Sequence, residues 1–310
     1  MEFIIFHTAI NGLIILSHSF VVIKIIRSEA KIFRNAFYSI VVATGFADIA
    51  SLFSTGTLRL IRDLNLGEET KDIALISLMI TYMALIVHLI GNMLITINRY
   101  SALCFMNRYD EIWTRKNVRI AIIIQYVISF AVFAHVARAN VDYTRNDDGT
   151  VAMKGLREEH IDLIARFTSI GACIIYATVT LSLNVRLLME WKRLSRADGV
   201  PRHGHHDRGL LLYALLVFIC TMLMCSQQVV KAVATFTGNT SLNLWISLQY
   251  AWMNEIMVSI PLFSLMVLSS DFRQEISTYS DARNILLVHL YLLQYRALDN
   301  LWLKGSKLPS

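Results

Sequence analysis

Side chains able to do chemistry occur in this sequence at helical spacing, inside blocks that are otherwise apolar. Thr44, Asp48, Ser51 and Thr55 follow at i, i+4, i+7 and i+11, and Thr81, His88, Asn92, Thr96 and Arg99 fall on a similar stripe. Cys220, Gln227 and Lys231 form a third stripe; Ser247, Tyr250, Asn254 and Pro261 form a fourth. Such spacing puts each set on one face of a helix. Carboxylate, imidazole, amide and ammonium groups on these faces can hold water or a cation, pair with one another, or meet a charged ligand. In hydrocarbon they are costly, so they turn toward a protein interior. Signatures of catalysis are missing: there is no phosphate-cradling glycine loop, no HExxH and no GxSxG. The chain is expected not to be an enzyme and to need no cofactor. The stretch PRHGHHDRG gathers His203, His205, His206 and Asp207, residue types of a metal site. With no partner cysteine and free solvent around it, it reads as a solvated loop, and no metal is expected.

The elements that must position these stripes follow from composition. Of 310 residues 55% are hydrophobic and only 17% charged, with three prolines, Pro201, Pro261 and Pro309. Soluble domains carry about a quarter charged residues and alternate apolar with polar faces. Here the apolar residues come in blocks, as in a helical membrane protein. A span needs about 20 mostly apolar residues, and seven segments qualify: 3–26, 36–58, 73–97, 120–137, 163–188, 210–236 and 245–268. Residues 1–268 are expected to form one seven-transmembrane helix bundle, an all-α membrane fold, with 269–310 as a tail. The first block has no basic segment before it and no small-residue cleavage site, so it reads as a retained helix. A net charge of +6 could suggest nucleic acid, but the basic residues sit in short loops between apolar blocks, which argues against it.

Orientation follows from those loops. Twenty of the 29 Lys and Arg fall on the side of Lys24, Arg27, Arg99, Arg115, Lys192 and the tail; eight fall on the other side. The second side is also rich in acid, with Asp142, Asp147, Asp148, Glu158 and Glu159. Positive charge accumulates in the cytosol, so the N-terminus is expected outside and the C-terminus inside. Asn11, Asp48, Asn92 and Asn254 then lie near the membrane midplane and form a candidate polar cluster for water or a cation. Toward the outside, Tyr82, His88, Lys231, Trp252 and Glu255 form a candidate ligand pocket. Lys231 and Glu255 could pair with each other or meet a charged ligand group.

At the opposite end the run LIVHLIGNMLITINRYSALCF finishes on Asn98-Arg99-Tyr100. Seven spans, an outer N-terminus, short loops and this third-span ending together resemble the rhodopsin-like receptors. More narrowly, NMLITINRYSALCFMNRYDEIW and PLFSLMVLSSDFRQEI resemble the nematode serpentine chemoreceptors of the Srg superfamily, class V, over residues 1–276. The resemblance implies a chemosensory G-protein-coupled receptor in the plasma membrane, at sensory neuron endings. Its implied partners are a small-molecule ligand and a heterotrimeric G protein. It also implies that Arg99 closes the third helix over a cytosolic cavity for the G protein, with Asn98 and Tyr100 beside it.

Departures from that pattern matter. Asn98 replaces the usual acid before the arginine, leaving Asp207 as the nearest candidate to hold Arg99. The sixth span has no proline, Ile260 stands where the pattern has asparagine before Pro261, and no cysteine pair ties the third helix to the second outer loop. A seven-span ligand-gated channel and a proton-coupled transporter using Asp48, His88 and Glu255 are the competing readings. The channel would put the tail outside, against the charge count. The transporter would ordinarily need more spans or an internal repeat. Residues 284–298, NILLVHLYLLQYRAL, are too short to span and read as an interfacial helix.

Overall fold

The computed structural model describes residues 2–145, 151–196, 204–269, 272 and 274. The chain forms α1 (Glu2–Arg27), α2 (Ala36–Asp63), α3 (Lys71–Cys104), the single turn α4 (Tyr109–Ile112) and α5 (Arg115–Phe133). A two-stranded hairpin follows, β1 (Val141–Arg145) and β2 (Val151–Leu156), and then α6 (Glu159–Arg196), α7 (Gly204–Phe236) and α8 (Thr240–Leu268). Seven of the helices, all but α4, are long and apolar enough to cross a membrane, and together they make the seven-transmembrane bundle. The two ends of the bundle are called here the hairpin end and the arginine end, after β1–β2 and Arg99. The tail beyond residue 274, with the apolar segment 284–298, lies outside the described residues.

Helix boundaries have local causes. Asn35, Thr114 and Asn239 cap α2, α5 and α8, each accepting from the backbone N–H three residues on, of Tyr38, Asn117 and Leu242. Pro261 sits inside α8 and withholds one helical hydrogen bond there. The fourth span is short as an α-helix and is completed by a 3-10 turn, Ala134–Arg138.

α3 is the central post, packed against α2, α5, α6 and α7, while α1 leans on α2 and α8. Two apolar layers fill the bundle. Leu85, Ile86, Leu89, Phe133, Met224 and Met257 lie in the layer nearer the hairpin end. Phe33, Phe37, Tyr38, Ile95, Tyr213, Leu262 and Phe272 fill the layer nearer the arginine end. Between them runs a layer of buried polar groups. On the outside, Leu13, Leu16 and Phe20 of α1, Ile123 and Val127 of α5, and Ile174 and Ile175 of α6 are exposed, as a surface against lipid requires.

Two glycines permit the closest approaches. A side chain on Gly91 would collide with Thr44 Oγ1 and Gln125 Nε2, where α2, α3 and α5 converge. One on Gly209 would strike the Leu268 carbonyl oxygen, where α7 meets the end of α8. Small residues are what allow helix backbones to approach this closely in membranes. In the hairpin, Asp142 faces Gly155 and Tyr143 faces Met153, so the second strand bulges, and Gly155 takes φ +138° there. The hairpin is tied at its base by Glu158, whose carboxylate accepts from the Asn140 backbone N–H at 2.7 Å and its side-chain amide at 2.9 Å. Those two bonds hold the Glu158 carboxyl below the usual carboxylate range.

Candidate functional site

The central polar layer is built around Asp48 of α2. His88 Nδ1 lies 2.7 Å from Asp48 Oδ1, and His18 Nε2 of α1 lies 3.8 Å from Asp48 Oδ2. Asn92, one turn along α3, places its amide nitrogen 2.7 Å from His88 Nε2 and 3.3 Å from Thr221 Oγ1 of α7. Thr221 donates its own proton to the Val217 carbonyl, which leaves its oxygen free to accept from Asn92. With the Asn92 amide donating both ways, His88 Nε2 is an acceptor and its proton sits on Nδ1, given to Asp48. The carboxylate is thus served inside the bundle, by a group that itself is held in one tautomer. Asp48, His18, His88 and Asn92 are all buried. Beside them lies a cavity of about 20 Å³, touched by His18, Thr44, Asp48, Asn92, Tyr213 and Pro261. Its walls are mostly apolar, with these polar groups on one part of the lining, and it has room for about one water molecule.

Of the four midplane residues expected from the sequence, Asp48 and Asn92 are joined through His88. Asn254 and Asn11 bind α2 nearer the hairpin end. Ser51 donates to Asn254 Oδ1 at 3.2 Å, Asn254 donates to Thr55 Oγ1 at 3.4 Å, and Asn11 donates to the Leu52 carbonyl at 3.2 Å. Gln125 of α5, the fourth span, closes the layer, donating to the Val87 carbonyl at 2.7 Å.

The five candidate ligand residues fall into three places. His88 belongs to the central layer. Trp252 and Glu255 join an α2 arginine: Arg59 Nη1 donates to Glu255 Oε1 at 3.0 Å, and its guanidinium lies 5.4 Å from the Trp252 ring centre. His7 meets the same indole edge-on at 4.1 Å. Glu255 is therefore paired with Arg59 rather than with Lys231, because Arg59 arrives on the same buried face. Tyr82 and Lys231 line a separate recess with Arg166, Ile170, Gln228 and Ala232.

At the arginine end, the Arg99 guanidinium lies 3.9 Å from the centre of the Phe37 ring, in cation–π contact. Asn98 is fully buried and donates to the Tyr109 hydroxyl at 3.0 Å. Ser101 accepts from Trp113 Nε1 at 2.6 Å, so α3 holds the following loop by two side chains. Tyr100 packs edge-to-face on Phe105. The Tyr38 hydroxyl and Ser269 Oγ are 3.0 Å apart, and Ser269 accepts from the Phe272 N–H, turning the chain back where α8 ends. The side chain of Asp207, expected near Arg99, and those of His203, His205 and His206 lie outside the described residues.

Sequence reasoning passed over Arg59, His7, His18 and Arg166. The signal for three of them was present. Arg59 is the next position, four residues on, of the Thr44–Thr55 stripe, and His7, Asn11 and His18 stand at i, i+4 and i+11 on α1. Arg166 stands in the sequence as a lone charge in the fifth span, and its partner Asp162, one turn before it, precedes the expected start of that span at residue 163.

The family model for serpentine type 7TM GPCR chemoreceptor Srv matches residues 9–280. A comparison with curated proteins found no match. With the family pattern running through all seven spans and past Pro261, the chain belongs to the Srv family of serpentine seven-transmembrane chemoreceptors.

Proposed function

We propose that this chemoreceptor is switched by a small molecule bound at the hairpin end and signals to a heterotrimeric G protein at the arginine end. One observation carries the reading. A single helix, α3, brings Tyr82 to the hairpin-end recess, His88 and Asn92 to the central layer, and Arg99 to the far end. The Asn92–Thr221 bond connects that helix to α7, which also lines the recess through Gln228 and Lys231. A ligand that binds one arrangement of α3 and α7 better than another shifts the population toward it, by no more than its difference in affinity.

In the resting arrangement Arg99 rests on Phe37, and α7 lies against α8 at Gly209. Movement of α7 away from α8 opens a cavity beside Arg99. A guanidinium suits that position, being always charged and able to donate in a planar fork to a partner's carbonyls. Asn98 and Tyr100 keep the neighbouring loop in register, and Asp207 is the acid that would hold Arg99 at rest. The positive-inside rule supports a cytosolic arginine end and an outward-facing hairpin end, in the plasma membrane. The family supports sensory neuron endings as the cell surface concerned. The mid-membrane cluster, Asp48 with His88 and Asn92 and the neighbouring Asn11 and Asn254, is the hinge layer through which the two ends communicate.

The test is nucleotide exchange on a co-expressed G protein, comparing the native chain with Arg99→Ala at equal surface abundance. Exchange lost in Arg99→Ala supports the reading, and equal exchange in both removes it. Substrate uptake without G-protein activation would instead favour a carrier.

A further inference from the structure

We infer that the recess between α3, α6 and α7 is an anion site that takes the carboxylate of a small organic acid; this deepens the ligand-binding half of the proposed function. The recess is lined by Tyr82, Arg166, Ile170, Gln228, Lys231 and Ala232. Two of those six residues are cations. Arg166 Nε donates to Asp162 Oδ2 at 2.6 Å, but its Nη1 is buried and has no hydrogen-bond partner. Lys231 forms no ion pair among the described residues. The buried acid of α8, Glu255, is occupied by Arg59.

Arg166, Lys231 and Asp162 therefore sum to one uncompensated positive charge. A cation at membrane depth without a counter-charge is unfavourable, and such residues mark binding sites unless a partner is present. One monoanion supplies what is missing. Lys231 would donate to one carboxylate oxygen and Arg166 Nη1 to another, both charge-assisted bonds. The Tyr82 hydroxyl and the Gln228 amide, which already donates to Gln227 Oε1 at 3.2 Å, stand at the wall as further polar groups.

Size selects within the anions. The recess has about 10 Å³ of free space, room for roughly one water. A planar carboxylate, smaller than phosphate or sulfate, would displace the lining least. The alkyl chain of the acid would lie against Ile170 and Ala232, the apolar residues of the lining. An amine is repelled by both cations, and a neutral amide can accept with its carbonyl oxygen but brings no charge to compensate them. The selectivity expected is acid over amide over amine.

The experiment is thermal unfolding of the full-length receptor, purified in detergent at pH 7, with butyrate, hexanoate, hexanamide or hexylamine added. Hexanoate is expected to raise the unfolding midpoint in a saturable way, with hexanamide and hexylamine producing little or no rise. Lys231→Met should shift the half-saturating hexanoate concentration upward about tenfold or more. Lys231→Arg should restore it, and Arg166→Gln should weaken it without abolishing it. Without ligand, Lys231→Met should unfold no lower than the native chain, since it removes an unpaired charge. The inference is overturned if neither acid raises the midpoint, if the amide or amine does so equally, or if Lys231→Met leaves the acid response unchanged. A lower ligand-free midpoint in Lys231→Met would also overturn it, by giving the ammonium a structural partner. Because this readout needs no G protein, its failure leaves the Arg99 exchange test standing, and failure of that test leaves the acid response intact.

Discussion

Asp48 and Lys231 are both ionisable groups inside one helical bundle, and their surroundings differ in kind. Asp48 is met by His88 at 2.7 Å and His18 at 3.8 Å, and the network continues through Asn92 to Thr221 on a fourth helix. Lys231 faces a second cation, Arg166, whose single acid is already engaged. The first arrangement stabilises one packing of α1, α2, α3 and α7, because any displacement strands a charge. The second leaves a charge waiting for a partner that the described residues do not supply. A charge answered from within reads as structure and switching; a charge left unanswered reads as recognition.

Substitutions can break or sharpen that contrast. The largest effect is expected for Asp48→Ala, which leaves His88 Nδ1 without its acceptor. Removing one partner of a buried pair costs about 3–5 kcal/mol, so surface expression should fall sharply and the unfolding midpoint with it. Asp48→Asn should be milder, since its carbonyl still accepts from His88 Nδ1. Next is Arg59→Met, which strands Glu255 and should cost about 3 kcal/mol. The double change Arg59→Met with Glu255→Leu should recover most of that loss, because apolar replacement of a whole buried pair is near neutral. Lys231→Met tests the other side of the contrast and should unfold no lower than the native chain without ligand, since it removes an unpaired charge.

The smallest effect is expected at Glu158. Its carboxyl is depressed by the Asn140 bonds, so its contribution is present above its unfolded value of 4.5 and fades as pH falls below that value through the folded one. Amide protection factors at the hairpin base, which correct for the acid-slowed intrinsic rate, should therefore fall on acidification below about pH 4.5 in the native chain and be low throughout in Glu158→Leu. Exchange equal in the two chains at neutral pH would remove the tie.

The seven helices were legible because hydrocarbon forces long uninterrupted apolar blocks, and nothing in a soluble fold imitates seven of them. Their ends were less so. The third span was expected to stop at residue 97, yet α3 runs from Lys71 to Cys104, because Asn98 and Ser101 bind the loop that follows instead of ending the helix. The hairpin β1–β2 was not expected at all; its strands are short and set by Gly155 and by the Glu158–Asn140 tie. Within the candidate sites, spacing found the faces but not the pairings. Periodicity put Asp48 and His88 on interior faces, while which residue meets which depends on the relative rotation and height of separate helices. Glu255 thus takes Arg59 and not Lys231, and Asn254 takes Ser51 and not Asp48.

The account rests on one orientation: hairpin end outside, Arg99 inside. The most direct measurement attaches one epitope before Met1 and another after Ser310 and probes them with antibody on intact and then permeabilised cells. The N-terminal tag should be reached on intact cells, and the C-terminal tag only after permeabilisation. If the C-terminal tag is reached on intact cells, Arg99 faces outward, the G-protein account falls, and a ligand-gated channel takes its place.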